Sequence, residues 1–588
     1  MRGARRRGFA TRSASAQHGT TLPPLPPDMT PALTTHRRAT AVAAVLIALV
    51  IAAAYWPGLA GDWGRDDYFQ LAFARLLDSP WPLFVRDHFP VPGSVFRPLG
   101  VASMWLGAAL FGSDYTAHAA SDLALHVAVA LALLAWLVRS GLAVVPAALA
   151  SLLFGLHPLA IGTALWWSAR FDLLATLFGL LALWAATRHR ECPRTLMLAC
   201  TVAASLAALL SKETGVAVVA AVIVLWSQRT ASVRAWRATG VRGVAWLIAC
   251  VLAWFAWRAA VLGTATTGLT GSTALATTFV HGTLEGLRNA AGFFSYWPRL
   301  ALPTRLASLA GVLVLAFAIL MRVRAGGPAR RDTGWIACAS CLVLVPMLLQ
   351  APVAALNAAP LSASESAVQS AMQSRLYYLG LVGLAALGGA LLDWIWRARA
   401  NHARVLALGA AVPLLAAWAV ASHVQADSFA RRSVEIARVA HAASERVAAL
   451  DLRSEHCHVI VHGLGQPPEW GGYVSVDSVL KALAPEPGRI AHCWFHGGQP
   501  TWFHLLAAPV DDRDAKPFEP LTLDGVRLPW REVGGVVIAY LDARQPIDDA
   551  MLQQMRVLRL DDARVVEPAP TPVAGDAPAP ARGEVPRR

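Results

Sequence analysis

Two adjacent carboxylates, Asp66 and Asp67, follow the first long apolar segment of the chain, inside the polar stretch Gly61–Gln70. A carboxylate can accept a proton from a reacting group, so an adjacent pair is a candidate for acid–base chemistry. The same pair directly precedes the sequence YFQLAFARLL, and aspartate is also common at the start of a helix. These residues alone therefore leave open a reacting site and a helix cap or solvated acidic turn.

The composition indicates what kind of protein presents this pair. Of 588 residues, 56% are hydrophobic and 15% are charged, whereas soluble proteins carry about 25% charged residues. The apolar residues occur in blocks of about 15–20, which is typical of membrane-spanning helices. This composition excludes a wholly soluble enzyme and a disordered scaffold. The net charge of +14 comes almost entirely from arginine, and arginine retained on the cytoplasmic side of a membrane explains it better than nucleic-acid binding.

Hydropathy predicts an α-helical polytopic membrane protein with about eleven spans. The predicted spans lie near 40–56, 116–138, 142–158, 172–187, 195–210, 214–228, 243–262, 303–321, 334–350, 375–396 and 404–422. Arginine clusters follow the second, fourth, sixth, eighth and tenth spans, on the same side as the N-terminus. This alternation predicts a cytoplasmic N-terminus and an outer C-terminus. The apolar segment 98–112 would invert the alternation if it crossed the membrane, so we expect a helix lying in the outer interface.

Several ionisable residues of the apolar region lie at the ends of its segments: Asp122, His126, His157, Asp172, Lys212 and Glu213. Asp122 and His126 are four residues apart and share one helix face. An ionisable residue in a membrane domain is a functional hypothesis by default, and a proton pump or ion channel usually needs such groups at the midplane. The distribution instead favours chemistry at the outer face, and it favours the reacting site over the cap at Asp66 and Asp67.

The segment after the last span has a different character. Residues 458–464 and 535–543 are predicted strands and 476–483 a short helix, which together indicate a small extracytoplasmic α/β domain. Cys457 and Cys493 could pair there in an oxidising compartment, while the nearby histidines lack the paired spacing of a structural zinc site. The predicted organisation is a basic cytoplasmic segment (1–38), a membrane domain (39–423) with an outer loop (57–115), the α/β domain (424–565) and a disordered Pro/Ala-rich end (566–588).

Several short motifs follow one another in order along residues 40–425. They are GRDDY at 64–68, FRPL at 96–99, LALH at 123–126, FGLHP at 154–158, WWSARFDLL at 166–174, SKETG at 211–215 and RLYYL at 375–379. In this order they resemble the GT-C superfamily of polyprenyl-phosphate-sugar-dependent glycosyltransferases. The chain looks like the protein O-mannosyltransferases and the transmembrane mannosyltransferases that carry tetratricopeptide repeats.

Three departures limit what this resemblance implies. The repeat-bearing relatives have Asn where this chain has Asp122, and they have Glu where it has Gly162. No tetratricopeptide repeats follow residue 423. Neither a mannose donor nor a protein acceptor is therefore implied.

The resemblance implies an inverting transfer of a sugar from a polyprenyl-phosphate donor to an acceptor hydroxyl at the outer face. Asp66 or Asp67 would be the base. Candidate cations for the departing phosphate are Arg97, Lys212 and Arg375. Arg170 and Asp172 would form a second pair that shapes the site, or a structural pair at a helix start. The other expected binding residues are His126, His157, Glu213 and Tyr377, with packing as the alternative role for the histidines.

The resemblance implies no certain cofactor and leaves a divalent metal open. The expected partners are the lipid-linked donor, a glycan, lipid or protein acceptor, and the membrane, with no nucleic acid. The expected location is a bacterial-type inner membrane. A lipid or glycan transporter, a non-catalytic assembly or sensor protein, and an O-antigen ligase or polymerase remain alternative functions.

Overall fold

The computed structural model describes residues 29–64, 66–87, 95–227, 233–263, 336–346, 378–397 and 401–448, with short stretches between 457 and 542. Most of these residues are helical. The helices of the first half are α1 (Met29–Tyr55), α2 (Asp66–Leu76), α3 (Pro98–Phe111), α4 (Tyr115–Arg139), α5 (Val144–Gly155), α6 (Ile161–Ala164), α7 (Arg170–Glu191), α8 (Thr195–Ser211), α9 (Gly215–Ser227) and α10 (Val233–Leu262). The later helices are α11 (Ile336–Pro346), α12 (Tyr378–Trp396), α13 (Asn401–Ala448) and α14 (Val476–Leu483).

Six helices in the described part are long and apolar enough to cross a membrane. They are Thr35–Ala60, Tyr115–Arg139, Trp167–Glu191, Gly240–Leu262, Tyr378–Trp396 and Arg404–Arg431. Each coincides with a predicted span, so the prediction of a mostly helical protein with several helices that could span a membrane is confirmed. The predicted spans at 195–210, 214–228 and 334–350 coincide with shorter apolar helices, and 303–321 lies outside the described residues. The total of eleven stays a prediction.

The predicted span 142–158 is not one straight helix. Helices α5 and Pro158–Ala164 meet at a bend of 51°. The bend falls at His157-Pro158, because the proline ring disfavours helical backbone in the residue before it. His157 is extended, with φ −64° and ψ 129°, and a turn of 3-10 helix follows it.

Helix α13 is much longer than the span predicted at 404–422. Its 48 residues correspond to about 70 Å of helix, more than twice the roughly 30 Å of a bilayer core. The predicted domain boundary between residues 423 and 424 falls inside it. The C-terminal part of α13 contacts the loop after α1. The Asp62 backbone N–H donates to Ser433 Oγ at 2.9 Å, and His441 Nε2 lies 3.0 Å from an Asp62 oxygen.

Ionic contacts tie the helices together at the end of the bundle that carries the predicted cytoplasmic arginines. Arg139 at the end of α4 pairs with Glu191 at the end of α7. Arg397, after α12, bonds to Asp393 at 2.8 Å and donates to the carbonyl of Gly141 at 2.7 Å. The ends of three predicted spans therefore meet at this end of the bundle.

Helix α3, the predicted interfacial helix, packs across the opposite end of the bundle. Two glycines seven residues apart allow this close approach. A Cβ at Gly107 would come within 3.0 Å of Arg170 Nη1, and a Cβ at Gly100 would collide with the Phe171 ring. Both contacts are with the first turn of α7, so α3 is held directly over that turn.

The tail contains strands as well as α14. The strands are β1 (Cys457–His462), β2 (Cys493–His496), β3 (Thr522–Leu523), β4 (Val526–Arg527), β5 (Trp530–Val533) and β6 (Val536–Asp542). One sheet has the order β2-β1-β6-β5, with β1 and β2 parallel and the other neighbours antiparallel. The predicted α/β domain as a whole stays a prediction, because only short stretches of 457–542 are described.

Helix α14 lies on α2. Its Val479 and Leu480 share an apolar cluster with Tyr68 and Leu71 of α2. From α2, Arg75 donates to the carbonyls of Ala482, Ala484 and Pro485 at 2.6, 2.7 and 3.2 Å. These carbonyls lie at the C-terminal end of α14, where backbone acceptors have no partner within the helix and a cation is favourable. The tail is thus attached to the loop that carries the acidic pair.

Replacing Arg75 with Ala should loosen this attachment. The variant loses charge-assisted hydrogen bonds to three carbonyls, on the order of 2 kcal/mol of docking free energy. We expect faster proteolysis of the tail in intact membranes, measured on blots with a C-terminal tag. Arg489→Ala removes an exposed tail arginine that lies 3.8 Å from Glu486 and is the matched control. Equal proteolysis of both variants would contradict the docking.

A disulfide is expected between Cys457 and Cys493. Cys493 is disulfide-bonded, and Cys457 is its Cα partner in the parallel pair of strands. Neighbouring strands lie about 4.8 Å apart, within the Cα separation that a disulfide needs. Peptide mapping without reduction should recover the two cysteines in one cross-linked peptide, which reduction separates. Recovery of either thiol in free form from freshly prepared membranes would contradict the pairing.

Candidate functional site

The first residues of α7 and the turn before them are the centre of the candidate site. Ser168, Arg170 and Asp172 follow one another at intervals of two residues, and each is buried. Each bonds to a different element, namely α2, α4 and the end of α8. The motif WWSARFDLL, singled out by its residue types, therefore brings three distant parts of the chain together.

Asp67 is held by Ser168. Its Oδ1 accepts from the Ser168 backbone N–H at 2.8 Å and from Ser168 Oγ at 2.7 Å, and only 1% of the Asp67 residue is exposed. Burial raises the pKa of Asp67 to about 7, although the hydrogen bonds from Ser168 lower it; the charges of Asp66 and Asp122 add to the rise. Asp67 is thus a buried carboxylate that can gain or lose a proton near neutral pH, while Asp66 beside it is half-buried.

Arg170 pairs with Asp122, so the expected pair of Arg170 with Asp172 is wrong. Arg170 Nε donates to Asp122 Oδ1 at 2.6 Å. Its other nitrogens reach Ser121 Oγ and, at 3.3 Å, the carbonyl of Ser103 in α3. The physical reason is that side chains two residues apart on a helix point to different sides of it, so residues 170 and 172 face different neighbours. Arg170 faces α4, and Asp172 faces the end of α8.

Asp172 binds Lys212. The Lys212 ammonium donates to both Asp172 oxygens, at 2.6 and 2.7 Å. The two side chains are 5% and 8% exposed, so each charge depends on the other inside an apolar bundle. The cation expected to face a phosphate is in this structure bonded to a carboxylate.

Arg97 and Glu213 form a third ion pair. Arg97 Nε and Nη2 lie 2.9 and 2.8 Å from Glu213 Oε2, and the guanidinium sits over the Phe171 ring at 5.3 Å. Burial would raise the pKa of Glu213, but the charge and hydrogen bond of Arg97 bring it below its usual value. Arg258, buried in α10, interacts electrostatically with Glu213, Arg97 and Asp87, so two arginines and two carboxylates form one charged cluster.

Aromatic rings surround the first turn of α7. Trp63 makes edge contacts with Tyr115, His118 and Trp167, at centroid distances of 5.4, 5.1 and 5.3 Å. Arg170 lies over the Trp167 ring at 5.7 Å. These buried rings exclude water from the polar groups among them, which strengthens each electrostatic interaction.

His126 and His157 have packing roles in this structure. Nε2 of His126 donates to the Gly155 carbonyl at 2.9 Å, and the Tyr378 hydroxyl donates to Nδ1 at 2.6 Å. His157 Nδ1 accepts from the Leu159 backbone N–H at 3.1 Å, and its ring lies 4.8 Å from that of Trp418. These hydrogen bonds do not join either histidine to Ser168, Arg170 or Asp172, although Tyr378, the partner of His126, interacts electrostatically with Asp172.

The expected site residues Arg375 and Tyr377 lie outside the described residues. Within the described part of the chain, no group of three or more His, Cys, Asp or Glu is arranged to hold a metal ion.

Comparison of the chain with protein-family models, with curated proteins and with solved structures gives no match.

Three residues of the candidate site are absent from the catalytic and binding residues that the sequence predicted. Ser168 stands inside a motif singled out for its charged and aromatic residues, and its position two residues before Arg170 was the available signal. Asp122 is recognisable from the sequence as an ionisable residue of an apolar segment, but the sequence does not indicate its partner. Arg258 lies in a predicted span near its outer end, and a search for every charge inside the apolar segments would have found it.

The pair between Lys212 and Asp172 can be tested by stability. Lys212→Met or Asp172→Leu alone should lower the unfolding free energy by about 3–5 kcal/mol, because each leaves a buried charge without its partner. The double variant Lys212→Met/Asp172→Leu should recover much of the loss. The measurement is thermal unfolding in detergent, and Arg431→Ala, which breaks an exposed pair with Asp427, should change stability by less than about 1 kcal/mol. Additive losses in the double variant would contradict the pairing.

Proposed function

We propose that this protein is a membrane glycosyltransferase of the GT-C type. It transfers a sugar from a polyprenyl-phosphate donor to an acceptor hydroxyl at the outer membrane face. The observation that carries the proposal is Asp67, a carboxylate that is buried and held by two hydrogen bonds from Ser168. Burial raises its pKa to about 7. Its partner Ser168 directly precedes the first turn of α7, which carries the Arg170–Asp122 and Asp172–Lys212 pairs, at the end of an apolar helical bundle opposite the arginine-bearing end.

The chemical step needs one base and one set of cations. The acceptor oxygen attacks the anomeric carbon, the bond from that carbon to the phosphate oxygen breaks, and the polyprenyl phosphate leaves with the bond's electron pair. The proton of the acceptor hydroxyl passes to Asp67, and attack from the face opposite the phosphate inverts the anomeric centre. Asp67 is assigned this role because Ser168 fixes its carboxylate and because a base works best when its pKa is near the working pH, as that of Asp67 is.

The leaving phosphate gains negative charge and requires cations in a water-poor setting. Arg97 and Arg258 provide them, and Lys212 is adjacent in sequence to Glu213. In this proposal a phosphate approaching the cluster competes with Glu213 and Asp87 for the two arginines. The lipid chain stays in the bilayer beside the bundle, and α3 lies at the interface with one end of the site beneath it.

Further features of the proposal come from the same sequence arguments. The bundle has about eleven spans, the N-terminus is cytoplasmic in a bacterial-type inner membrane, and the tail forms an extracytoplasmic α/β domain. A non-catalytic assembly or sensor protein is the second candidate, because the tail is attached by Arg75 and α14 to the loop that carries Asp67. In a sensor, removing the Asp67 charge would leave glycans unchanged.

Asp67→Asn should abolish transfer. Losing a general base lowers the rate by about 10²–10⁴-fold, while the amide keeps the shape of the side chain. The measurement compares lipid-linked sugars and envelope glycans in cells without the gene and in cells complemented with each variant. The donor should accumulate and one glycan should lack a residue when Asp67 is replaced.

Asp78→Asn is the matched control, because Asp78 is an exposed aspartate of the same loop. It should restore the glycan to the level of the unchanged protein. Full restoration by Asp67→Asn would remove Asp67 as the base. Identical glycans and lipid-linked sugars with and without the gene would overturn the glycosyltransferase proposal itself.

A further inference from the structure

We infer that Ser168 is a positioning residue: it fixes the Asp67 carboxylate by one oxygen so that the other oxygen faces the reacting hydroxyl. This inference deepens the proposed function and rests on it. Both hydrogen bonds from Ser168 end on Oδ1 of Asp67. Oδ2 is not used by Ser168, and it is the oxygen to which we assign the proton of the acceptor.

The local structure explains why a serine can do this. Residues Trp167–Ala169 form one turn of 3-10 helix that runs into α7. Backbone N–H groups at a helix start have no acceptor within the helix, and the Ser168 N–H finds one in Asp67, which lies 101 residues away in the chain. Asp67 therefore caps a helix other than its own. The two bonds from one residue restrain the carboxylate in direction as well as in distance.

The same bonds act on the protonation of Asp67. A carboxylate that accepts hydrogen bonds is favoured in its charged form, whereas burial disfavours that form. These effects oppose each other at Asp67, and burial is the larger. Removing the Ser168 hydroxyl leaves burial unchanged and deletes one bond to the carboxylate, so the pKa of Asp67 should rise further. The active, deprotonated base would then appear only at higher pH.

The test is the pH dependence of transfer by the full-length protein in membrane vesicles, between about pH 5 and pH 9. The probe is the lipid-linked sugar pool of cells fed radiolabelled glucose, and the signal is label leaving the organic-soluble fraction. Ser168→Ala should move the acid limb of the rate profile upward by about one pH unit, the effect of losing one hydrogen bond to a charged group. The rate on the alkaline plateau should stay within about tenfold of the unchanged protein, because the backbone N–H still holds Asp67.

Three variants separate positioning from a general loss of structure. Ser168→Thr keeps a hydroxyl and should return the acid limb to its original position. Ser168→Cys keeps the shape of the side chain but has a weaker donor, so it should shift the acid limb as Ser168→Ala does. It provides the same test if the Ala variant gives a low yield in membranes. Ser151→Ala removes another buried hydroxyl, one that donates to the Ala147 carbonyl at 3.0 Å, and should leave the limb in place.

The outcomes distinguish this inference from the proposed function. An unshifted acid limb in both Ser168→Ala and Ser168→Cys, with Asp67→Asn inactive, overturns the positioning role and leaves Asp67 as the base. Label release by Asp67→Asn at the rate of the unchanged protein overturns the proposed base, and with it the reason for Ser168. An acid limb that shifts in Ser168→Ala and returns to its original position in Ser168→Thr supports both the positioning role of Ser168 and the role of Asp67 as the base.

Discussion

The need to pair every charge buried in an apolar bundle is the constraint from which the candidate site follows. An isolated charge in such surroundings costs several kcal/mol, so each one at the start of α7 is bonded to a partner from elsewhere. Arg170 bonds to Asp122, Asp172 bonds to Lys212, and the Ser168 hydroxyl and amide bond to Asp67. Three elements far apart in sequence are therefore fixed against one helix turn, and the acidic loop is one of them.

The loop that carries Asp67 is held from two directions. Ser168 restrains it from inside the bundle, while Arg75 and the pair of Asp62 with His441 attach it to the tail and to the far part of α13. The hydrogen bond to Asp62 raises the pKa of His441, as expected for a histidine that gains a carboxylate partner. The tail, α13 and the bundle therefore all contact the loop that carries Asp67.

Much of the helical framework was predictable from local properties of the chain. Long apolar segments must become helices that satisfy their own backbone hydrogen bonds in a membrane, so the long spans and the short helix at 98–112 follow from hydropathy. The bend at His157-Pro158 and the 48-residue length of α13 were missed. Hydropathy measures the affinity of a segment for lipid. It does not report where a helix changes direction, and it does not report whether a polar segment continues an apolar helix.

The sequence by itself determined which groups would be costly to bury and where along each helix they lie, because the spacing of charges at the ends of apolar segments is a one-dimensional property. It therefore indicated Asp67, Asp172 and Lys212 as members of one region. Only the tertiary structure decided the partners: Arg170 faces α4 and bonds to Asp122, while Ser168 turns toward Asp67. A side chain two residues along a helix points about 200° away, so the packing of neighbouring helices, and not distance along the chain, selects the bond that forms.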